Sequence, residues 1–328
     1  MSVETPDRPD GPAREDDRGP FQRWVRDAIR NPRKVYRAMF VLLGIFLLGT
    51  TLFPLWWLLM VALSTATGVS SGVGLLPAGV RLLQPATYAA IDPSSFVEIF
   101  VRIPFARYMF NSLFFAATTT VAVLVIASLA GYAFGRLQFR GKGVLMLAIL
   151  VISFFPPAAF FIPLFRLFTQ QVAFLGLFEF PVKLYNSPGA VVVPLSAVFM
   201  PLAIFILTTF YSQIPDGIEE AARVEGTTRL GALFRVIVPL SAPGVATAGI
   251  LTFISVYVEF FFSFLMTGTS AADWAPIVDG IISYQTQYQV RYDLMAAASL
   301  VAIIPVAILV VVAQEKIVSG LTSGALKE

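Results

Sequence analysis

Long apolar runs alternate with short polar segments along almost the whole chain. Six runs stand out: Met39–Leu63, Phe110–Phe134, Val144–Phe165, Gly189–Tyr211, Gly244–Met266 and Leu294–Ala313. At 1.5 Å per residue, each is long enough to cross a hydrocarbon core of about 30 Å as a helix. The pattern predicts an all-α polytopic membrane protein with six transmembrane helices. Pro156-Pro157 and Pro163 interrupt the third run, and Pro194 and Pro201 the fourth. A doubled proline frees backbone carbonyls and bends the helix, which is tolerated where neighbours or a cavity satisfy them. Gly131 and Gly135 end the second run as a GxxxG, which permits close helix approach.

The polar segments differ from one another. Residues 1–20 carry almost no apolar side chains, lack the apolar core of a signal peptide and are expected to be disordered. Phe21, Trp24, Val25, Ala28 and Ile29 then recur at helical spacing among arginines, a basic helix suited to a membrane surface. Residues 64–108 read as a long Gly/Ser/Pro-rich loop, and 166–188 and 267–293 as further loops. The chain thus divides into a tail with an interfacial helix (1–37), a transmembrane domain (38–313) and a C-terminal tail (314–328).

Residues 214–239 are the most structured of the polar segments. Pro215 and Asp216 suit a helix start, with Asp216 as a cap. Glu219 and Arg223 stand at i, i+4, the favourable order for an ion pair. Gly226 suits the left-handed position that ends a helix. Thr227 or Thr228 can cap a second helix, on which Leu230, Leu233, Phe234 and Ile237 form one apolar stripe until Pro239 and Pro243 stop it. Ala221 and Ala222 leave one side of the first helix smooth. Such a helix suits a cleft in another protein; the plainer reading is a connecting loop.

Composition agrees with a membrane class. Of 328 residues, 57% are hydrophobic and 13% charged, about half the charge of a soluble domain. With neither Cys nor His, thiol chemistry, His-based metal sites and His triads are excluded. Gly68-Val69-Ser70-Ser71-Gly72 fits G-x-S-x-G but has no His to serve it. The glycines from Gly135 to Gly143 miss the P-loop spacing and lack its Ser/Thr, so ATP binding through that motif is not expected. Most of the 23 Lys and Arg residues lie on the side of the N terminus; Arg81, Arg102, Arg107, Lys183 and Arg291 lie opposite. By the positive-inside rule both termini and the 214–239 segment are cytoplasmic. The basic residues flank apolar spans and do not cluster on one face, which argues against nucleic acid. Glu259, mid-span, marks a functional site or a contact with a polar partner.

Glu220-Ala221-Ala222, three residues, Gly226, nine residues, then Val236-Ile237-Val238-Pro239 resembles the EAA loop of ABC-importer permeases, with Val for the usual Ile and Leu. Further stretches resemble the MalG-type permeases of carbohydrate ABC importers: Arg107–Leu113, Gly131–Arg136, Phe139–Lys142, Pro156-Pro157 with Ile162-Pro163-Leu164, and the tail Gln314–Lys327. The resemblance runs from about residue 107 to the end. It implies a type I ABC-importer permease fold in a prokaryotic cell membrane, and a sugar as cargo. It implies a second, MalF-type permease, an ABC ATPase dimer and an extracytoplasmic sugar-binding protein as partners. ATP and magnesium then sit on the ATPase, with no cofactor on this chain. Glu219, Glu220, Ala221, Ala222, Arg223, Gly226 and Pro239 would form the ATPase-coupling loop. Gln314, Gly320, Leu321, Gly324 and Ala325 would reach the ATPase interface. Pro156, Pro157, Tyr257 and Glu259 would lie on the translocation path or the permease interface; Tyr257-Val258 stand where the family has Trp-Asn-like residues. The rival reading is an ion-coupled carrier or channel, which would bring several midplane ionisable groups and internal repeats.

Overall fold

The computed structural model describes residues 32–65, 91–169 and 184–323. The 1–20 tail, the basic helix at 21–30, most of the 64–108 loop, the 170–183 stretch, and Gly324 and Ala325 lie outside the described residues. Among the described residues there is no β-strand, only two isolated bridges, Ser64–Ile91 and Gln285–Val290. The helices are α1 (Pro32–Ala62), α2 (Ser95–Arg102), α3 (Phe105–Arg136), α4 (Lys142–Ser153), α5 (Phe161–Phe168) and α6 (Pro188–Ser212). They continue with α7 (Asp216–Val224), α8 (Arg229–Leu240), α9 (Ala242–Tyr257), α10 (Phe261–Met266), α11 (Ile277–Ile282) and α12 (Tyr292–Ser323).

Among the described residues, four helices are individually long and apolar enough to cross a membrane: α1 from Tyr36, α3, α6 and α12 to Gln314. Counting each of two bent pairs as one span brings the number to as many as six. The α4 pair, with Pro157–Phe168, turns by 86°, and α8 with α9 by 84°. The first bend falls at Pro156-Pro157, as expected from the missing N–H groups and ring clashes. The fifth apolar run is not one helix: α9 ends at Tyr257, and α10 restarts after Val258–Phe260. The last run extends the other way, since α12 continues through Ser323, taking in Gln314, Gly320 and Leu321. Residues read as loop also contain α2, and α3 begins five residues before the apolar run, at Phe105.

The chain divides into residues 1–57 and 58–328. In the first unit, Thr50 and Thr51 bond back to the Phe46 and Leu47 carbonyls one turn ahead of Pro54. The rings of Phe53 and Trp57 lie 6.0 Å apart.

In the second unit α3 and α6 form the central pair. Gly131 and Gly135 set their spacing: a Cβ on Gly131 would lie 2.9 Å from the Leu207 Cβ, and one on Gly135 3.2 Å from the Thr208 oxygen. The GxxxG expectation holds, because only a residue without a side chain admits that approach. One core cluster joins Val123, Ala127, Ile204, Leu207, Leu233 and Ile237. A second, towards the start of α3, gathers Phe115, Leu195, Tyr257, Phe262 and Leu294. Arg291 ties α2 to the start of α12, through Glu98 at 3.2 Å and Asp293 at 2.6 Å.

Candidate functional site

The 214–239 segment forms the two helices that its sequence describes. Asp216 and Glu219 occupy the first turn of α7 and Arg223 the last, the arrangement a helix dipole favours. Gly226 has φ 90°, a left-handed backbone open to glycine, and the Thr227 N–H closes the turn on the Ala222 carbonyl at 3.1 Å. The Thr228 Oγ then accepts the Gly231 N–H at 3.1 Å and caps α8. Residues Leu233–Ile237 of α8 wind as a π-helix, an uncommon geometry that shifts the register of side chains.

Three local expectations fail here, each for a tertiary reason. Asp216 does not cap α7: it is the first helical residue, and its carboxylate pairs with Arg136 of α3 at 2.9 Å. Glu219 does not turn to Arg223. It accepts the Tyr132 hydroxyl at 2.5 Å and the Arg136 Nε–H at 2.9 Å. Of the apolar stripe, Leu233 and Ile237 are buried but Leu230 and Phe234 face outward, so that Ala232 joins the buried side instead.

Arg136 is the centre of this site. Its side chain is 5% exposed, against 12% for Glu219. Beyond the two carboxylates, Nη1 donates to the carbonyl of Ile214, in the link between α6 and α7, at 2.5 Å. One planar guanidinium thus holds three separate points around the first turns of α7, a use of its fixed fork of donors that lysine lacks. Burial opposes ionisation of Glu219. Hydrogen bonds from Tyr132 and Arg136 and the charges of Arg136 and Arg223 outweigh it, and hold the carboxyl below its usual range.

The outward side of α7 is different. Glu220, Ala221, Arg223 and Glu225 are exposed, and Ala222 is half-buried. Ile218, Val224 and Leu230 stand out as exposed apolar side chains, Val224 at 88%. Pro239 is exposed near the α8–α9 bend.

At its other end α3 holds the 267–277 turn. The Asn111 Nδ2 donates to the carbonyls of Ala271 and Ala275, both at 2.9 Å. Ser112 accepts the Ile277 N–H at 2.8 Å, and the Tyr108 hydroxyl donates to Thr269 at 3.2 Å. Trp274, at φ 63°, lays its ring near Phe114 and Phe115, with the Arg107 guanidinium 5.6 Å from it. Beside this turn, Asp279 is buried with one oxygen unpartnered, and burial pushes its carboxyl up to about 6.

The mid-span candidates are occupied locally. Glu259 accepts the N–H groups of Phe262 and Ser263, at 2.7 and 3.2 Å, and the Ser263 hydroxyl at 3.0 Å, so its charge serves the restart at α10. Tyr257 is buried, and its hydroxyl donates to Ala302 of α12 at 2.9 Å. Pro157 lines a cavity of about 270 Å³ with Phe160, Val193, Pro201 and Phe262, and Pro156 sets the bend beside it. A neighbouring cavity of about 600 Å³ is lined by Ile126, Ile149 and Met200. Gln314 is exposed on α12.

Sequence reasoning missed Arg136 and Tyr132 as site residues. The available signal was their i, i+4 spacing at the end of an apolar run, on a helix already marked by the GxxxG. It missed Asn111 and Ser112 too, two adjacent polar residues inside an apolar stretch.

The pattern of the family described as "Binding-protein-dependent transport system inner membrane component" matches residues 124–322. The chain is similar to the sulfoquinovosyl glycerol transport system permease protein SmoH of Agrobacterium fabrum, 34% identical over 86% of this chain and 90% of that protein. It is similar to the trehalose transport system permease protein SugB of Mycobacterium tuberculosis, at 33% over 87% and 96%. In fold it resembles a chain of a bacterial ABC transporter involved in import of the acidic polysaccharide alginate. That match has TM-score 0.68 and 22% identity, over 87% of this chain and 97% of the other.

Proposed function

The chain belongs to the family of binding-protein-dependent transport system inner membrane components, and from that footing we propose that it is the permease subunit of an ATP-driven importer that brings a mono-, di- or oligosaccharide into the cytoplasm. Its relatives carry sugars by their names, sulfoquinovosyl glycerol and trehalose among them. Residues Glu219, Glu220, Ala221, Ala222, Arg223, Gly226 and Pro239 couple it to a separate ABC ATPase dimer, which holds ATP and magnesium. A second, related permease completes the pathway, and an extracytoplasmic sugar-binding protein delivers the cargo. The end of α12, from Gln314 onwards, reaches towards the ATPase dimer. The end bearing α7 is the cytoplasmic one, in keeping with the distribution of Lys and Arg. The subunits alternate between outward- and inward-facing states.

The observation that carries this reading is the build of α7. A nine-residue helix is too short to persist on its own in water. Here it is anchored by a buried ion pair while presenting apolar and charged side chains outward, a surface suited to a cleft in another protein. An ion-coupled carrier fits less well. The one mid-span carboxylate, Glu259, is already engaged by the N–H groups of α10.

The test is uptake by proteoliposomes holding the purified complex, with ionophores collapsing all ion gradients. ATP inside should sustain sugar uptake. Gly226→Asp, which places a side chain at φ 90°, should cut the sugar moved per ATP hydrolysed by about tenfold or more, within the range of coupling energies between sites. Uptake that stops with the gradient, or a variant that couples normally, would reject the reading.

A further inference from the structure

Within α7, all of whose residues are described, Glu219 alone is buried. Its partners, Tyr132 and Arg136, both belong to the last turns of α3. None of the apolar side chains of the helix that would meet the ATPase is fully buried. Its polar attachments run to Tyr132 and Arg136, and Arg136 makes most of them. Arg136 binds Ile214 before α7 and both Asp216 and Glu219 in its first turn. Three acceptors held by one rigid plane restrain the direction of α7 as well as its position.

The competing path runs along the chain into α8, whose Leu233 and Ile237 are embedded in the core. That path begins at Gly226, φ 90°, and continues through a π-helical stretch, both departures from regular helix. A displacement of α7 meets a break and an irregular turn on one side, and a short buried ion pair to a 32-residue helix on the other.

On the reading of α7 as the ATPase-docking helix, we propose that Arg136 is the positioning residue through which movement of α7 enters the membrane domain, α7 and the end of α3 travelling as one body. The partner of this contact is internal to the chain, and its role is transmission rather than binding of sugar or nucleotide.

The chain has no cysteine, so introduced pairs react without background. The experiment uses the full complex with cysteine-free partner subunits in proteoliposomes. Sugar uptake and ATP hydrolysis are measured together for Arg136→Gln, Arg136→Lys, Glu219→Gln and the double variant Arg136→Gln/Glu219→Gln. The expected result is that sugar moved per ATP falls about tenfold or more in Arg136→Gln. The double variant should lose no more than the worse single one, because the two residues act as a unit. Arg136→Lys keeps the charge but not the three-point hold, and should fall between. It also serves where Arg136→Gln fails to assemble.

The pair Arg136→Cys/Glu219→Cys should be uncoupled until bridged by a short bis-maleimide, and regain coupling once bridged. A merely structural contact would lower the amount of complex without changing the ratio. Normal coupling in Arg136→Lys together with Arg136→Gln, or a bridge that blocks uptake, would overturn the proposal. The second outcome would mean that the contact must open. If instead the unmodified complex shows no ATP-driven uptake, the reading of α7 has failed and not the role of Arg136.

Discussion

The two ends of α3 hold two segments by opposite means. At the end carrying Arg136, α7 is held by charge, with Asp216, Glu219 and Arg136 between 2.9 Å contacts. Towards the other end, about 25 residues or about 37 Å of helix away, the 267–277 turn is held by neutral hydrogen bonds with Asn111, Ser112 and Tyr108 and by aromatic packing around Trp274. Neutral bonds to buried carbonyls are short-range and insensitive to pH. A buried ion pair is directional and strong when intact, yet costly when one partner is lost. The difference suits a turn that stays fastened to its helix at one end, and a helix that transmits movement at the other. Both segments are reached from one rod, with the close α3–α6 pairing at Gly131 and Gly135 stiffening it.

The largest effect should come from breaking the neutral end. Asn111→Leu keeps the volume but leaves the carbonyls of Ala271 and Ala275 unpartnered, and should cost about 2–4 kcal/mol. Limited proteolysis should find the 267–277 turn newly open, while α7 still exchanges its amides at the original rate. Matching changes at α7 would show that the ends are not independent.

Next is Asp279. Its carboxyl is raised by burial to about 6 from an ordinary 3.8, so its contribution is complete below pH 3.8 and is lost as pH rises through about 6. Asp279→Asn removes that loss and should raise stability at pH 8 by about 1–3 kcal/mol relative to the parent, with little gain at pH 4. Melting curves at the two pH values measure it. Equal shifts at both would assign the effect to packing.

Thr228→Ala removes the cap of α8 and should cost about 1 kcal/mol, read as faster amide exchange at Gly231 with the 267–277 turn unaffected. The smallest effect concerns Glu219 over the ordinary pH range. Its carboxyl is held below the usual value, so its stabilisation is present above that value and lost only as pH falls through the lowered one. Between pH 5 and 8 the α7 contact should be constant by amide exchange. Loss near pH 6 would contradict the buried pairing with Arg136.

Much of this architecture was legible in order along the chain. The apolar runs fall on the four spanning helices and on parts of the two bent pairs, the doubled proline marked the 86° bend, and the EAA-type spacing and MalG-type stretches pointed to the family that the match over residues 124–322 establishes. The restart at α10 was less visible. An apolar run continues through Val258–Phe260, and the reason it breaks is that Glu259 turns its carboxylate onto the N–H groups ahead of it.

Local order along the chain was enough for the spans, from apolar length, for the bends, from missing N–H groups, for the end of α7, from a glycine that tolerates φ 90°, and for the start of α8, from a threonine within reach of the Gly231 N–H. Where each charge went was set by packing between helices far apart in the chain. Glu219 had Arg223 one turn away, in the favoured order, and chose Arg136, 83 positions distant. An exposed i, i+4 pair gains a few tenths of a kcal/mol against water. A carboxylate enclosed beside Tyr132 has lost that water and cannot leave the nearest buried cation unpaired. Which cation is buried beside it depends on α3 and α6 meeting at Gly131 and Gly135, a fact of packing that spacing along the chain does not contain.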